Sequence, residues 1–199
     1  MVQDLFTGDQ FISFNGGDGI YGGRAQLLKK EWSTGTVTSE DVHAVVNAPY
    51  MDVASNPSGY VDWTTGDLHI QFQADNQRIE EFISEDAGTT WKTLIDLSGL
   101  VSVPYAQTGT SPFALQNPYT NQRMVLFSSE NARANAFIQG EDSILTAVDV
   151  SGQASVLDVE QGTNISGVVD PLTGGYIILF TGEGLYGGRV QYVRYGPPE

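Results

Sequence analysis

Carboxylates, tyrosines and arginines recur at fixed places in this chain. Asp75, Glu130 and Glu183 each stand three residues after a phenylalanine, and Asp18 stands four after Phe14. Oxygen ligands gathered in this way suit a hard cation such as Ca²⁺. Acids at recurrent loop positions are also simply turn formers. The first and last of these loops read Asp18-Gly-Ile-Tyr-Gly-Gly-Arg24 and Glu183-Gly-Leu-Tyr-Gly-Gly-Arg189. Tyr21 and Tyr186, beside flexible glycines, suit stacking on a sugar or docking of a partner. Alternatively, tandem copies resemble one another and the Gly-Gly pair shapes a bulge. The candidate binding set is Asp18, Tyr21, Arg24, Asp75, Glu130, Glu183, Tyr186 and Arg189. No catalytic residue or metal ligand is assigned, and no cofactor is expected beyond the Ca²⁺ reading of the acidic ring.

His43 and His69 are the only histidines, so histidine-based metal or nucleophilic chemistry would have to use one of them. His69 alternates with core residues in a strand, which fits a hydrogen-bonded sheet histidine better than a ligand. The chain has no cysteine, which excludes disulfides and thiolate metal sites.

The elements that position these residues come from a fourfold repeat. Its copies are Asp4 to Phe14, Asp62 to Phe72, Asn117 to Phe127 and Asp170 to Phe180, each ending on phenylalanine. Those phenylalanines lie 58, 55 and 53 residues apart (72−14, 127−72, 180−127). Repetition at this pitch means stacked supersecondary units, such as propeller blades or a solenoid. Each copy opens on turn chemistry: Thr7-Gly8, Thr65-Gly66, Thr120-Asn121 and Thr173-Gly174, with Asp or Asn three residues before the Thr.

Strands follow by alternation. The second-strand set is Gln10 to Phe14, Leu68 to Phe72, Arg123 to Phe127 and Tyr176 to Phe180. Shorter pieces precede it, at Met1 to Gln3, Gly59 to Val61, Phe113 to Leu115 and Ser166 to Val169. Third strands are expected at Arg24 to Lys29, Ile79 to Ser84, Ala134 to Gln139 and Arg189 to Tyr195. Fourth strands are expected around Val42 to Val46, Trp91 to Asp96 and Ser143 to Val150. The last copy has none, and no helix pattern is evident. The fourth copy is apolar on both strand faces, as if packed between two sheets. The expectation is an all-β, single-domain, small β-propeller of four blades (about 1–50, 57–100, 111–159 and 164–199), the last three-stranded. The first and last blades would then meet. Five blades is the alternative if residues 34–56 hide more structure.

Between the third and fourth strands of the second copy stands Ser84-Glu-Asp-Ala-Gly-Thr-Thr-Trp91. It resembles the Asp box, Ser-x-Asp-x-Gly-x-Thr-Trp, of sialidases and other bacterial-neuraminidase-repeat propellers, and matches at Ser84, Asp86, Gly88, Thr90 and Trp91. The resemblance implies a propeller, with the box in the turn joining the outer two strands of a blade. A buried Asp86 would accept turn amides and Trp91 would cover the hairpin. It does not imply sialidase activity, because the box lies away from the catalytic face in that family. A sialidase-like site would need three converging arginines, a Tyr–Glu nucleophile pair and an acidic proton donor. Six arginines are present, and nothing in their spacing draws three together.

Net charge is −15, from 24 acidic and 9 basic residues. Such a surface repels nucleic-acid phosphates and anionic membranes. No apolar run approaches the ~20 residues of a membrane span, and no signal peptide is read at the N-terminus. The expectation is a non-catalytic structural or binding module of a virion, in the capsid or tail of a tailed phage. It would contact other virion proteins or copies of itself, and host-surface glycan. The alternative is an Asp-box glycan-active enzyme, such as a sialidase-like glycoside hydrolase, or a free lectin.

Overall fold

The computed structural model describes residues 1–16, 23–140, 142–184 and 188–196. Four antiparallel sheets follow one another along the chain. Sheet 1 is β1 (Val2–Gln3), β2 (Gln10–Asn15), β3 (Ala25–Lys30) and β4 (Val37–Asp41). Sheet 2 is β5 (Ser58–Val61), β6 (Leu68–Gln73), β7 (Ile79–Ser84) and β8 (Lys92–Asp96). Sheet 3 is β9 (Phe113–Gln116), β10 (Arg123–Ser128), β11 (Ala134–Gln139) and β12 (Leu145–Asp149). Sheet 4 is β13 (Ser166–Val169), β14 (Tyr176–Gly182) and β15 (Arg189–Tyr195). Strand order is sequential in each, and first strands of neighbouring sheets touch, so they line the inside of the stack.

The repeat turns form as their chemistry dictates. Gly8, Gly66 and Gly174 have φ of 80°, 83° and 69°, and Asn121 takes the same region at 54°. The Asp4, Asp62, Asn117 and Asp170 side chains each accept the amide two residues on, at 2.8, 2.8, 2.9 and 2.9 Å.

The sheets bear out the all-β class, but the expectation of no helix needs correction. A short helix closes each of the first three sheets: α1 (Val42–Val46), α2 (Leu97–Leu100) and α3 (Val150–Gln153). The stretch Val42 to Val46, expected as a strand, is α1, and the fourth strand lies just before it. Asp41, Asp96 and Asp149 cap these helices, accepting from Ala44, Gly99 and Gly152 amides at 3.1, 2.7 and 2.7 Å. A cap of this kind contributes about 1 kcal/mol. One-turn helices carry no 3.6-residue periodicity, which is why the pattern hid them. Residues 34–56 hold β4, α1 and a connecting strap, and add no further sheet.

Three straps tie the sheets together. Met51 exchanges backbone bonds with Gly23, and Asp52 donates to Gln73. Ala106 donates to Gln77 and Gln107 to Ser128, while Val159 donates to Ala132 and Glu160 to Thr181. Apolar clusters fill the joints between sheets 1 and 2 (Phe11, Leu27, Leu68, Phe72, Phe82), 2 and 3 (Tyr60, Ile79, Val125, Phe127, Phe137) and 3 and 4 (Met124, Leu126, Ile138, Tyr176, Phe180). Among the described residues no such cluster joins sheet 4 to sheet 1. β6 is buried on both faces and β10 nearly so, whereas β2 and β14 are covered on one face only. The second apolar face of β14 therefore faces outward, because no described sheet follows it.

Candidate functional site

Asp75, Glu130 and Glu183 each stand on the loop after the second strand of their sheet. Asp75, Glu130 and Glu183 amides donate to the Tyr50, Tyr105 and Asp158 carbonyls of the straps at 2.8, 2.9 and 2.7 Å. All three carboxylates are exposed. Among the described residues no three acidic, histidine or cysteine side chains converge as a metal site. A cavity of about 430 Å³ at this end is lined by Gln77, Gln107, Thr108, Glu130 and Gln161, with one acid among amides and a hydroxyl. Asp18, Tyr21 and Tyr186 lie outside the described residues. Arg189 opens β15.

Arg24 proves to be part of a second repeat. It pairs with Asp41 at 3.0 Å, Arg78 pairs with Asp96, and Arg133 reaches Asp149 at 3.9 Å. Each arginine just before a third strand thus binds the aspartate capping the helix of its own sheet. Arg123 is bound to Asp62. These four are held in place, one or two per sheet, by fixed carboxylates, and they do not assemble the three-arginine clamp of a sialidase-type site.

His43 is tied to the backbone through both ring nitrogens. His43 Nδ1 accepts the Ala25 amide at 2.8 Å, and Nε2 lies 2.7 Å from the Pro49 carbonyl. In sheets 2 and 3 the matching amides, Ile79 and Ala134, donate to Ser98 and Ser151 hydroxyls at 2.9 and 3.1 Å. His43 therefore stands where its sister sheets use serine. Burial lowers its pKa, and its ring packs edge-on against Phe72 and Phe82.

The richest chemistry lies where sequence reasoning did not look, at the joint of sheets 2 and 3. A cavity of about 390 Å³ opens there. Its polar wall is Glu81, Arg123, Gln139 and Ser143, and its apolar wall is Ile83, Ile95, Leu97, Leu100, Val101 and Leu145. Glu81 is buried, and its Oε1 receives Gln71 Nε2 and lies 3.0 Å from His69 Nδ1. His69 in turn stacks on Tyr60, with ring centres 4.7 Å apart. Buried His69 Nε2 and Gln71 Oε1 have no partner. On the facing sheet Arg123 bonds Asp62, whose side chain is fully buried. Burial opposes ionisation of Asp62, but bonds from Thr64 and Gln116 and the Arg123 guanidinium hold its carboxyl well below the usual range. The Asp62–Arg123 charges cancel, and Glu81 remains as the acid of the cavity wall. A signal was present: Glu80-Glu81 stands between Ile79 and the apolar pair Phe82-Ile83 in one strand.

The Ser84–Trp91 turn joins β7 to β8, as expected. Asp86 accepts Thr90 N and Thr90 Oγ1 at 2.7 Å each, and Ser84 Oγ at 2.9 Å. The Asp86 carboxylate is exposed rather than buried, because its donors approach from one side of a surface hairpin. Gly88 has φ of 79°, and a Cβ there would stand 3.0 Å from Leu27 of sheet 1. Trp91 Nε1 donates to Glu40 of sheet 1 at 2.8 Å. The turn thus also fastens sheet 2 to sheet 1.

No known family profile matches the chain, and no curated protein does. Solved structures do. A Hadza microbial sialidase aligns over 97% of this chain and 43% of its own, at 14% identity and TM-score 0.61. NanB sialidase from Streptococcus pneumoniae aligns over 96% and 29%, at 12% identity and TM-score 0.63. The six-bladed fucose-recognising lectin of Aleuria aurantia aligns over 96% and 58%, at 13% identity and TM-score 0.61. The sheets are therefore those of a β-propeller, and the chain spans between 29% and 58% of the length of these structures.

Proposed function

We propose that this chain is a non-catalytic glycan-binding propeller module, with its ligand in the cavity between sheets 2 and 3. The observation that carries the reading is the two-sided lining of that cavity. A pyranose has one face of C–H groups and a rim of hydroxyls. The aliphatic wall from Ile83 to Leu145 suits the first, and Glu81, Arg123, Gln139 and Ser143 suit the second. Sialidases and a fucose-binding lectin among the similar structures support a sugar as the ligand class. Glu81 and the net charge of −15 favour a neutral sugar over an acidic one.

Glycan-array screening followed by calorimetry tests the proposal. The expected result is binding of a neutral glycan, weakened at least tenfold by Glu81→Gln with the circular dichroism spectrum unchanged. Binding unaffected by Glu81→Gln would remove the site. The second reading, a glycoside hydrolase, draws on the sialidases and on an α-L-arabinofuranosidase catalytic domain among the similar structures. Turnover of a fluorogenic glycoside panel, lost in Glu81→Gln, would replace binding with catalysis. For setting we propose a virus particle, in a capsid or tail, with particle proteins as partners. The compact acidic fold and its short loops support this, and copurification with particles is the check.

A further inference from the structure

The two ends of the sheet stack are built like its middle. The repeat phenylalanine always points at the preceding sheet. Phe72, Phe127 and Phe180 are at most 3% exposed, whereas Phe14 is 37% exposed. The residue before it in the strand points at the following sheet. Gln71 and Leu126 are 0% exposed, whereas Leu179 is 37% exposed. In the turns Phe6 (66% exposed) lies over Gly66 and Tyr119 (60% exposed) over Gly174, while their counterpart Leu172 is 92% exposed. An outer sheet face of a tandem array that is left in water is normally polar. Here sheet 1 presents Ile12, Phe14 and Val37 outward, and sheet 4 presents Val168, Leu179 and Tyr192.

Charge points the same way. The chain carries 24 acids. By strand register, the outward face of sheet 1 bears one of them, Asp41, already paired with Arg24. The outward face of sheet 4 bears none, and Lys30 and Arg194 are the other charges on the two faces. A −15 chain has spared both ends the charge that would keep copies apart.

We infer that a second copy of this chain covers these faces, head to tail, with sheet 4 of each copy on sheet 1 of the other. The free face of sheet 4 is the side that sheets 1 to 3 turn toward their successor. The free face of sheet 1 is the side that sheets 2 to 4 turn toward their predecessor. One chain therefore holds both halves of a joint it already makes three times. Two copies joined twice make a closed ring of eight sheets, within the range of known propellers. Strands ~4.8 Å apart, rising ~3.3 Å per residue, give each end face about 300 Å². One joint hides two such faces, the size of a weak contact; both joints together hide about 1,200 Å², the lower bound of a standard specific interface. The closed pair is thus the stable species, and an open string is not.

Sedimentation velocity on the full chain across micromolar concentrations tests this. The expected wild-type species is a dimer of twice 21.5 kDa. Phe14→Glu and Leu179→Glu should each be monomeric, and an equimolar mixture of the two should regain a weaker dimer through its one intact joint. Ile12→Glu and Tyr192→Glu form a second pair, and thermal melts confirm folding of all four. A monomeric wild type would overturn the inference and leave the faces to another occupant. So would a Leu179→Glu protein that dimerises normally, which means sheet 1 on sheet 1, or an assembly that grows without limit.

Discussion

Arg123 of sheet 3 closes on the carboxylate of Asp62 in sheet 2, and that carboxylate is completely buried. The pair spans a joint between sheets, and Asp62 also organises its own turn through Thr64. Removing Arg123 strands a buried charge. Arg123→Ala should therefore destabilise by about 3 kcal/mol, the low end for such a loss because the arginine is partly exposed. Asp62→Asn keeps an acceptor for Thr64 and should cost less. Because the folded carboxyl titrates below its unfolded value, its contribution is present above about pH 4 and is lost as pH falls below that. Urea melts of the two variants between pH 3 and 7 measure both effects.

Glu80 runs the opposite way. Burial raises its pKa to about 7, with Asp96 adding to the shift and Arg78 opposing it. A carboxyl that holds its proton more tightly when folded favours the fold at low pH. The benefit fades as pH rises from about 4.5, the unfolded value, to about 7. Glu80→Gln should flatten stability across that window and raise it at pH 8 by ~2 kcal/mol. A variant less stable than wild type at pH 8 would show that the ionised form has a partner.

His43 must be neutral to accept the Ala25 amide. Its pKa is lowered by burial, so its contribution is present above the unfolded value near 6.5 and is lost as pH falls below it. His43→Ser restores the hydroxyl acceptor of the sister sheets but leaves space beside Phe72 and Phe82. It should therefore cost about 1–2 kcal/mol, while His43→Ala, lacking both, should cost about 3. Thermal melts at pH 7.5 rank the three proteins.

Asp86 gathers Thr90, Thr89 and Ser84 donors, and the Thr90 bonds foremost hold its pKa at about 2. Asp86→Ala should cost about 1–2 kcal/mol through those lost bonds. It should also loosen the Trp91–Glu40 link, seen as a red shift of tryptophan emission before global unfolding.

Much of the fold was legible because its signals are local. The Asp-x-x-Thr-Gly turns fix their own geometry, and the strands beside them follow from alternation: Ile79–Ser84, Ala134–Gln139, Ser166–Val169 and Arg189–Tyr195 fall where expected. The helices escaped because one turn has no period. Yet their caps, Asp41, Asp96 and Asp149, recur 55 and 53 residues apart (96−41, 149−96), and a search for repeated caps would have found them. Arg24 was legible as a recurrent residue but not as an ion-pair partner. Glu81 was not legible as a site because its neighbours across the joint, Arg123 and Gln139, are distant in sequence. Nor could alternation separate a closed ring from an open stack, since end sheets and middle sheets share one pattern.

The three joints differ in substance. Aliphatic and aromatic side chains dominate the first and third, whereas the middle one buries Glu81, His69, Gln71 and Gln73 among its ring stacks. The molecule is thus two firm halves meeting at a polar seam. Heating or pulling should part it there first, and anything wedged across that seam acts as a clasp holding the halves shut.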